Sequence, residues 1–477
     1  MANSFKIAAA AALSVILAVS CNQPAPTEID GNPVTQVDAS KTLQTVEGWG
    51  VSLCWWAHMC GVWPDEDIDK LLDWVVSPDG LNYNLFRYNI GGGDDPENRN
   101  CTLHHMARGK GIRAEMPGFK MYEDSEYDWE ADSAQVKIML KIREKRPDAQ
   151  FEAFSNSAPW WMTISGCVAG NANPGEDNLK KEYYEAFADY LVDVCEHMKE
   201  AYGIEFRTLE PFNEAMSRYW GQNGGQEGCH FDAESQAEFI PILYKRLSQT
   251  DLKTVISASD ETSVAQSRRA LATYGDALQY VKQWNVHTYT VTDEDRAALR
   301  DEVKAKGLPL WMSETGAGGR GINGNIALMQ RMFDDMNIMQ PAAWIDWQTV
   351  GGDTQWSTVM SRNFDAGDYA KTKSFPVHQQ VTCFIKVGYK ILETSAKDVL
   401  AAISPDGKEI VVATLNNGKE AKTFNFSFAN AKVKNDVAVY TTSETQDLEA
   451  SQMKLEDKIL SAVLEPQTMK TFVIAAR

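Results

Sequence analysis

Arg207-Thr-Leu-Glu-Pro-Phe-Asn-Glu214 is an apolar-alternating run that meets a proline and ends on an Asn-Glu pair, with Gly- and Trp-rich sequence following at once. It reads as a buried strand, Arg207–Glu214, that opens into a loop and leaves one acid, Glu214, at its mouth. Leu308-Pro-Leu-Trp-Met-Ser-Glu-Thr-Gly316 has the same form and carries Glu314 near its end. Two carboxylates at the ends of two strands suit glycoside cleavage. One protonates the leaving oxygen, and the other attacks or stabilises the sugar carbon.

Outward from these two runs the chain repeats one unit: a short apolar strand, a loop, an amphipathic helix. The other expected strands are Val46–Leu53, Asn82–Ile90, Gln150–Ser157, Thr254–Glu261, Gln283–Tyr289 and Ala342–Gln348. Between them, Leu179–Tyr202 is the clearest helix, with Tyr184, Phe187, Leu191, Cys195 and Met198 at three- and four-residue steps. Pro64 followed by Asp65, Glu66 and Asp67 opens another, with acids where the helix dipole favours them. Eight such units over about 300 residues predict a (β/α)8 barrel, whose usual size is about 250 residues before insertions. A doubly wound open sheet is the rival; it usually carries a Gly-rich phosphate loop after its first strand, whereas Gly48-Trp49-Gly50 lies within the first strand.

Barrel chemistry sits at the C-terminal strand ends. Here those ends supply Trp55, Trp56, Arg87, Asn156, Trp160, Asn213, Glu214, His287, Tyr289, Glu314 and Trp347, with Trp220 and a third acid, Glu227, in the loop after Glu214. Tryptophan faces pack on the C–H faces of sugars while Asn, Arg and His bind hydroxyls, so the mixture points to an oligo- or polysaccharide in preference to a nucleotide. Any one of these tryptophans is more often core than ligand. The net charge of −20 argues against nucleic-acid or anionic-membrane partners.

Two ends of the chain differ from the barrel. Lys6 and the apolar run Ile7–Val19, closed by Ala18-Val19-Ser20-Cys21, predict a signal peptide over 1–20, and the box suggests lipidation at Cys21 followed by a tether over 21–32. An exported chain held to the membrane only by an N-terminal lipid follows, periplasmic or at the cell surface, with plain secretion as the alternative. After about Phe375, short strand-like runs separated by Pro405-Asp406-Gly407 and Asn416-Asn417-Gly418 predict an antiparallel β-sandwich over 376–477. A strand from 33–45 completes it, and 46–375 forms the barrel. Beyond Cys21 seven cysteines remain, so at least one thiol is free. Cys101 with His104 and His105 reads as a solvated loop, not a metal site.

Gly48–Ala57, Phe86–Gly93, Ser155–Met162, Glu210–Glu214, Asn223–Cys229 and Ser313–Gly316 together resemble glycoside hydrolase family 30, a clan A family, and within it the endo-β-1,6-galactanase branch. The resemblance implies a barrel with a sandwich built from both chain ends, Glu214 as acid/base and Glu314 as nucleophile. It also implies that Asn213 binds the sugar 2-hydroxyl, Tyr289 holds the nucleophile and Arg87 sits beneath it. Ala215 stands where the clan often has proline, and Lys386-Val387-Gly388 where the family often has Arg-Pro-Gly. The expected enzyme is a monomer that needs no metal or organic cofactor. Glu214 is expected to have a raised pKa from the nearby Glu314 charge and burial, with Arg87 and Tyr289 keeping Glu314 ionised. The alternatives are the same mechanism on β-1,6-glucan, an exo-acting β-galactosidase, fucosidase or xylosidase, and a non-catalytic glycan-binding lipoprotein.

Overall fold

The computed structural model describes residues 27–97, 99–100, 116–352 and 355–477. The signal segment, Cys21 and the rest of the first half of the tether, Cys101, His104 and His105 lie outside the described residues. Eight parallel strands close into a barrel: β1 (Gly48–Ser52), β2 (Leu85–Asn89), β3 (Gln150–Phe154), β4 (Thr208–Glu210), β5 (Val255–Ser263), β6 (Val281–Thr290), β7 (Leu310–Thr315) and β8 (Ala343–Asp346), with β8 paired back onto β1. A helix follows each strand, as the repeating sequence unit predicts. In Tyr184–Tyr202 the stripe from Tyr184 to Met198 is buried, and Gly203, at φ 67°, ends the helix in the left-handed cap that glycine tolerates. That helix starts later than expected because Leu179 pairs with Thr163 and Lys181–Tyr183 forms a single 3-10 turn.

Close packing explains the glycines of β1. A Cβ on Gly50 would lie 2.2 Å from the Leu85 carbonyl oxygen, so β1 and β2 can approach only without it. Trp49, Trp284, Trp311 and Trp344 are buried in this layer, and the indole of Trp344 donates to Asp335 at 3.1 Å. Trp344 is therefore core, although its strand end could have offered it to a ligand.

Three local irregularities position the chemistry. β4 stops at Glu210, because Pro211 has no N–H for the ladder, so Glu214 stands on the loop and not on the strand; its φ is 50° and its N–H donates to the Asp260 carbonyl at 2.8 Å. The β5–β6 register shifts between Ser259 and Glu261, around Asp260 at φ 56°. The register of β7 shifts after Met312 against both neighbours. Such bulges beside a site re-aim side chains; here they turn Asp260 and Glu314 toward Arg87.

The second body is a sandwich of a four-stranded and a seven-stranded sheet enclosing Phe426, Phe472, Val412, Ile474 and their neighbours. Asn32–Asp38 joins the smaller sheet beside Lys422–Ala429, and Thr42–Thr45 edges the larger one beside Lys390–Leu392. Both chain ends thus build it. The helix Ser374–Thr382 crosses the position where the barrel was expected to end. It is buried throughout, with Gln379 donating to the Asp79 and Gly80 carbonyls on the barrel side and Gln380 to Thr442 on the sandwich side. Among the described residues no helix is long and apolar enough to cross a membrane.

Candidate active site

The site is built on a buried layer of charge. Arg87, in the middle of β2, is fully buried with its guanidinium 4.1 Å from the Phe154 ring centroid. It donates to Glu152 at 3.0 Å, to Glu314 at 2.9 Å, and to Asp260. Below it Asn285 donates to Glu152 at 2.9 Å and to Glu210 at 3.3 Å. Burial, together with the charges of Asp260 and Glu152, pushes Glu210 well above the usual carboxylate range. Burial would also raise Asp260, but Arg87 and His287 outweigh it and hold that carboxyl below its ordinary value.

Above this layer Glu214 and Glu314 face one another. One oxygen of each, with a ring nitrogen of His287, all lie within 4.8 Å of one another. His287 Nδ1 is 3.0 Å from Glu214 Oε1 and 3.7 Å from Glu314 Oε1, while Nε2 lies 3.1 Å from Asp260 Oδ1. Burial would lower the His287 pKa, but Glu314 and Asp260 overcome it and hold the ring as imidazolium. Tyr289 donates to Glu314 Oε1 at 3.0 Å. Tyr219 donates to Glu214 Oε2, and the Trp220 indole donates to the Glu214 carbonyl at 2.9 Å. Gly228 allows that: a Cβ there would lie 2.0 Å from the Trp220 ring.

The protonation of the pair differs from expectation. Burial pushes Glu314 up to about 7, with His287 and Arg87 only partly offsetting it. Burial also acts on Glu214, but hydrogen bonds from His287 and Tyr219 prevail and hold it below the usual glutamate value. Sequence alone did not reveal Tyr219 as a donor or the extent to which Glu314 is enclosed.

A cavity of about 660 Å³ opens over the two acids. Of the expected residues Trp55, Asn156, Asn213, Glu214, Trp220, Tyr289, Glu314 and Trp347 line it, and Arg87 and His287 support it from beneath. Three do not reach it. Trp56 is wholly buried with its indole bonded to the Ser52 carbonyl, and Trp160 is turned away with its indole on Met121 O. Glu227 is fully buried as a strut between loops, accepting from Asn89 at 3.0 Å and from Gly92 N–H at 2.9 Å. The lining that was missed includes Tyr219, Thr262, Trp356 and Arg362. Cys54, Cys60, Cys195, Cys229 and Cys383 are free thiols, and Cys167 is disulfide-bonded.

The sequence profile of O-glycosyl hydrolase family 30 matches residues 33–284, more than half of the chain. The chain belongs to O-glycosyl hydrolase family 30. This family-30 enzyme is similar to an endo-β-1,6-galactanase of Hypocrea rufa, 29% identical over 83% of each chain. It is also similar to an exo-β-1,6-galactobiohydrolase of Bifidobacterium longum, 24% identical over 83% of this chain and 35% of that one. A conserved exported protein from Bacteroides fragilis shares the fold, with a TM-score of 0.78 at 20% identity over 92% of this chain and 100% of that one. Family 30 thus accounts for the barrel, the sandwich from both chain ends and the glycosidase activity.

Proposed function

We propose that this family-30 enzyme is a retaining hydrolase of β-1,6-linked galactan-type glycans, with Glu314 as nucleophile and Glu214 as acid/base. The carrying observation is the approach of the two acids: their nearest oxygens lie within 4.8 Å. That suits carboxyl groups about 5–5.5 Å apart, which leave no room for a water between acid and sugar, as opposed to the about 6.5–9.5 Å of inverting pairs.

In the first step a Glu314 oxygen attacks the anomeric carbon, the glycosidic C–O bond breaks, and the Glu214 proton goes to the departing oxygen. Arg87 and Tyr289 aim Glu314 and stabilise the carboxylate charge with which it attacks. In the second, Glu214 takes a proton from water, the new hydroxyl attacks the same carbon, and Glu314 leaves as carboxylate. Esterification of Glu314 removes its charge and so favours the base form of Glu214. Trp55, Trp347 and Trp356 offer ring faces and edges to the sugar, and Asn213 and Asn156 offer hydroxyl partners.

The similarity to galactan-cleaving relatives supports the sugar and the linkage. Export with a lipid on Cys21 is part of the same proposal, supported by the Ala-Val-Ser-Cys box and by the exported relative. Product analysis on β-1,6-galacto-oligosaccharides and β-1,6-gluco-oligosaccharides tests the substrate. Reducing ends released from the galactose series are expected; turnover of the glucose series alone would overturn it.

A further inference from the structure

Each oxygen of the Glu214 carboxylate has its own partner. Oε1 faces down to His287 Nδ1 at 3.0 Å, within the buried layer. Oε2 accepts from the Tyr219 hydroxyl. Tyr219 and its neighbour Trp220 contrast sharply. Trp220 is 2% exposed and fixed by its bond to the Glu214 carbonyl, whereas Tyr219 is 51% exposed and stands in the cavity, its ring 4.5 Å from Trp220 at 67°. The other ionisable groups around Glu214 are His287 and Tyr289 from β6, Asp260 and Glu261 from β5, Glu314 from β7 and Arg87 from β2. All are buried or half-buried in the barrel; Tyr219 alone hangs from a loop with solvent beside it.

We propose that Tyr219 is a displaceable cap on the acid/base, its hydroxyl standing in the free enzyme where the leaving-group oxygen must stand. The proposal rests on Glu214 being the acid/base. Oε1 points at an imidazolium beneath the cavity and cannot reach a glycosidic oxygen, so Oε2 is the working oxygen. The Oε2 lone pair that accepts from the Tyr219 hydroxyl carries no proton of its own, so it has none to give to a leaving group that comes to the same position. Substrate entry therefore swings the phenol aside, and the freed ring is left beside the departing sugar. Displacement also raises the Glu214 pKa, because a hydrogen bond that favours its ionised form is lost, so the acid form that the first step needs is favoured once substrate is in place. Tyr219 is thus a positioning residue that arms the pair only when substrate is present.

Tyr219→Phe keeps the ring and removes the donor. Loss of a hydrogen bond to a carboxylate raises its pKa, so the alkaline limb of kcat/KM, which reports the free enzyme, should move up by about one pH unit. The alkaline limb of kcat, which reports the enzyme–substrate complex, should stay where it is in the wild type, because there the cap is already off. Equal shifts in both limbs would mean that Tyr219 stays on Glu214 throughout, and no shift in either would mean that it never controls the proton; both overturn the cap. Glu214→Ala with azide, run alongside, separates the two claims. If azide rescues that variant on an activated aryl glycoside, Glu214 stands as acid/base and only the cap has failed. If Glu214→Ala still cleaves natural linkages, the assignment beneath it has failed.

Discussion

Arg87→Met removes the guanidinium that Glu152, Asp260 and Glu314 share while nearly preserving side-chain length. The native contacts, 3.0 Å to Glu152 and 2.9 Å to Glu314 with Asp260 alongside, surround a wholly buried guanidinium. Water cannot replace the lost partner. Removing one member of a buried ion network costs about 3–5 kcal/mol, against a total stability of about 5–15 kcal/mol, so the variant folds but is much weakened. Part of that cost arises from leaving Glu152 charged. Glu152→Gln in the same background removes the charge. Its carbonyl oxygen can still accept from Thr208, Gln283 and Asn285, which now bond Glu152 Oε2 at 2.7, 3.2 and 2.9 Å, and its amide fills the side Arg87 has left. The double variant should therefore be less destabilised than the sum of the singles by about 1–3 kcal/mol. All 14 tryptophans lie between Trp49 and Trp356, so denaturant unfolding followed by their fluorescence reports the barrel and not the sandwich. A cost below about 1 kcal/mol for Arg87→Met, or strict additivity in the double variant, would refute the shared-charge account.

Three further perturbations have defined outcomes. Gly228→Ala puts a Cβ against the Trp220 ring and shifts the loop that carries Glu214; kcat should fall by about 10²-fold, the usual consequence of about 1 Å of misplacement, with a small change in Tm. Trp347→Ala removes a cavity wall that meets Trp55 edge-on at 5.1 Å, and KM for the oligosaccharide should rise by about tenfold in steady-state assays, worth about 1.4 kcal/mol. Cys21→Ala should move the protein from the membrane to the soluble fraction and abolish incorporation of labelled palmitate; a wild type that takes up no label would refute lipidation.

The barrel was legible because each strand is a short, nearly uniform apolar run bounded by turn residues, and burial on both faces of a parallel sheet demands that pattern. Glu449–Lys454 was not, since an exposed edge strand of polar residues carries no alternation. Glu214 and Glu314 stood out as acids at strand ends. Asp260 did not, because its role depends on a bulge that no local residue announces. Glu227 stood among glycines and resembled a ligand; the Asn89 side chain and the Gly92 N–H, distant in sequence, claim its oxygens instead. Tyr219 and Trp356 sit on loops whose folding brings them over the acids, and spacing alone does not encode that. The direction of the Glu214 shift depends on such contacts too: His287 and Tyr219 hold its pKa below the ordinary glutamate value, against the rise expected from the sequence.

A 2-fluoro glycoside with a good leaving group tests the pair most directly, because the fluorine slows the second step and traps whatever carboxylate has attacked. Digestion and mass analysis of the inactivated enzyme should find one glycosyl adduct, on the peptide containing Glu314, and the Glu314→Gln variant should take up none. An adduct on Glu214 or Glu227, or an unlabelled enzyme whose first-formed product has the inverted α configuration, would contradict the account.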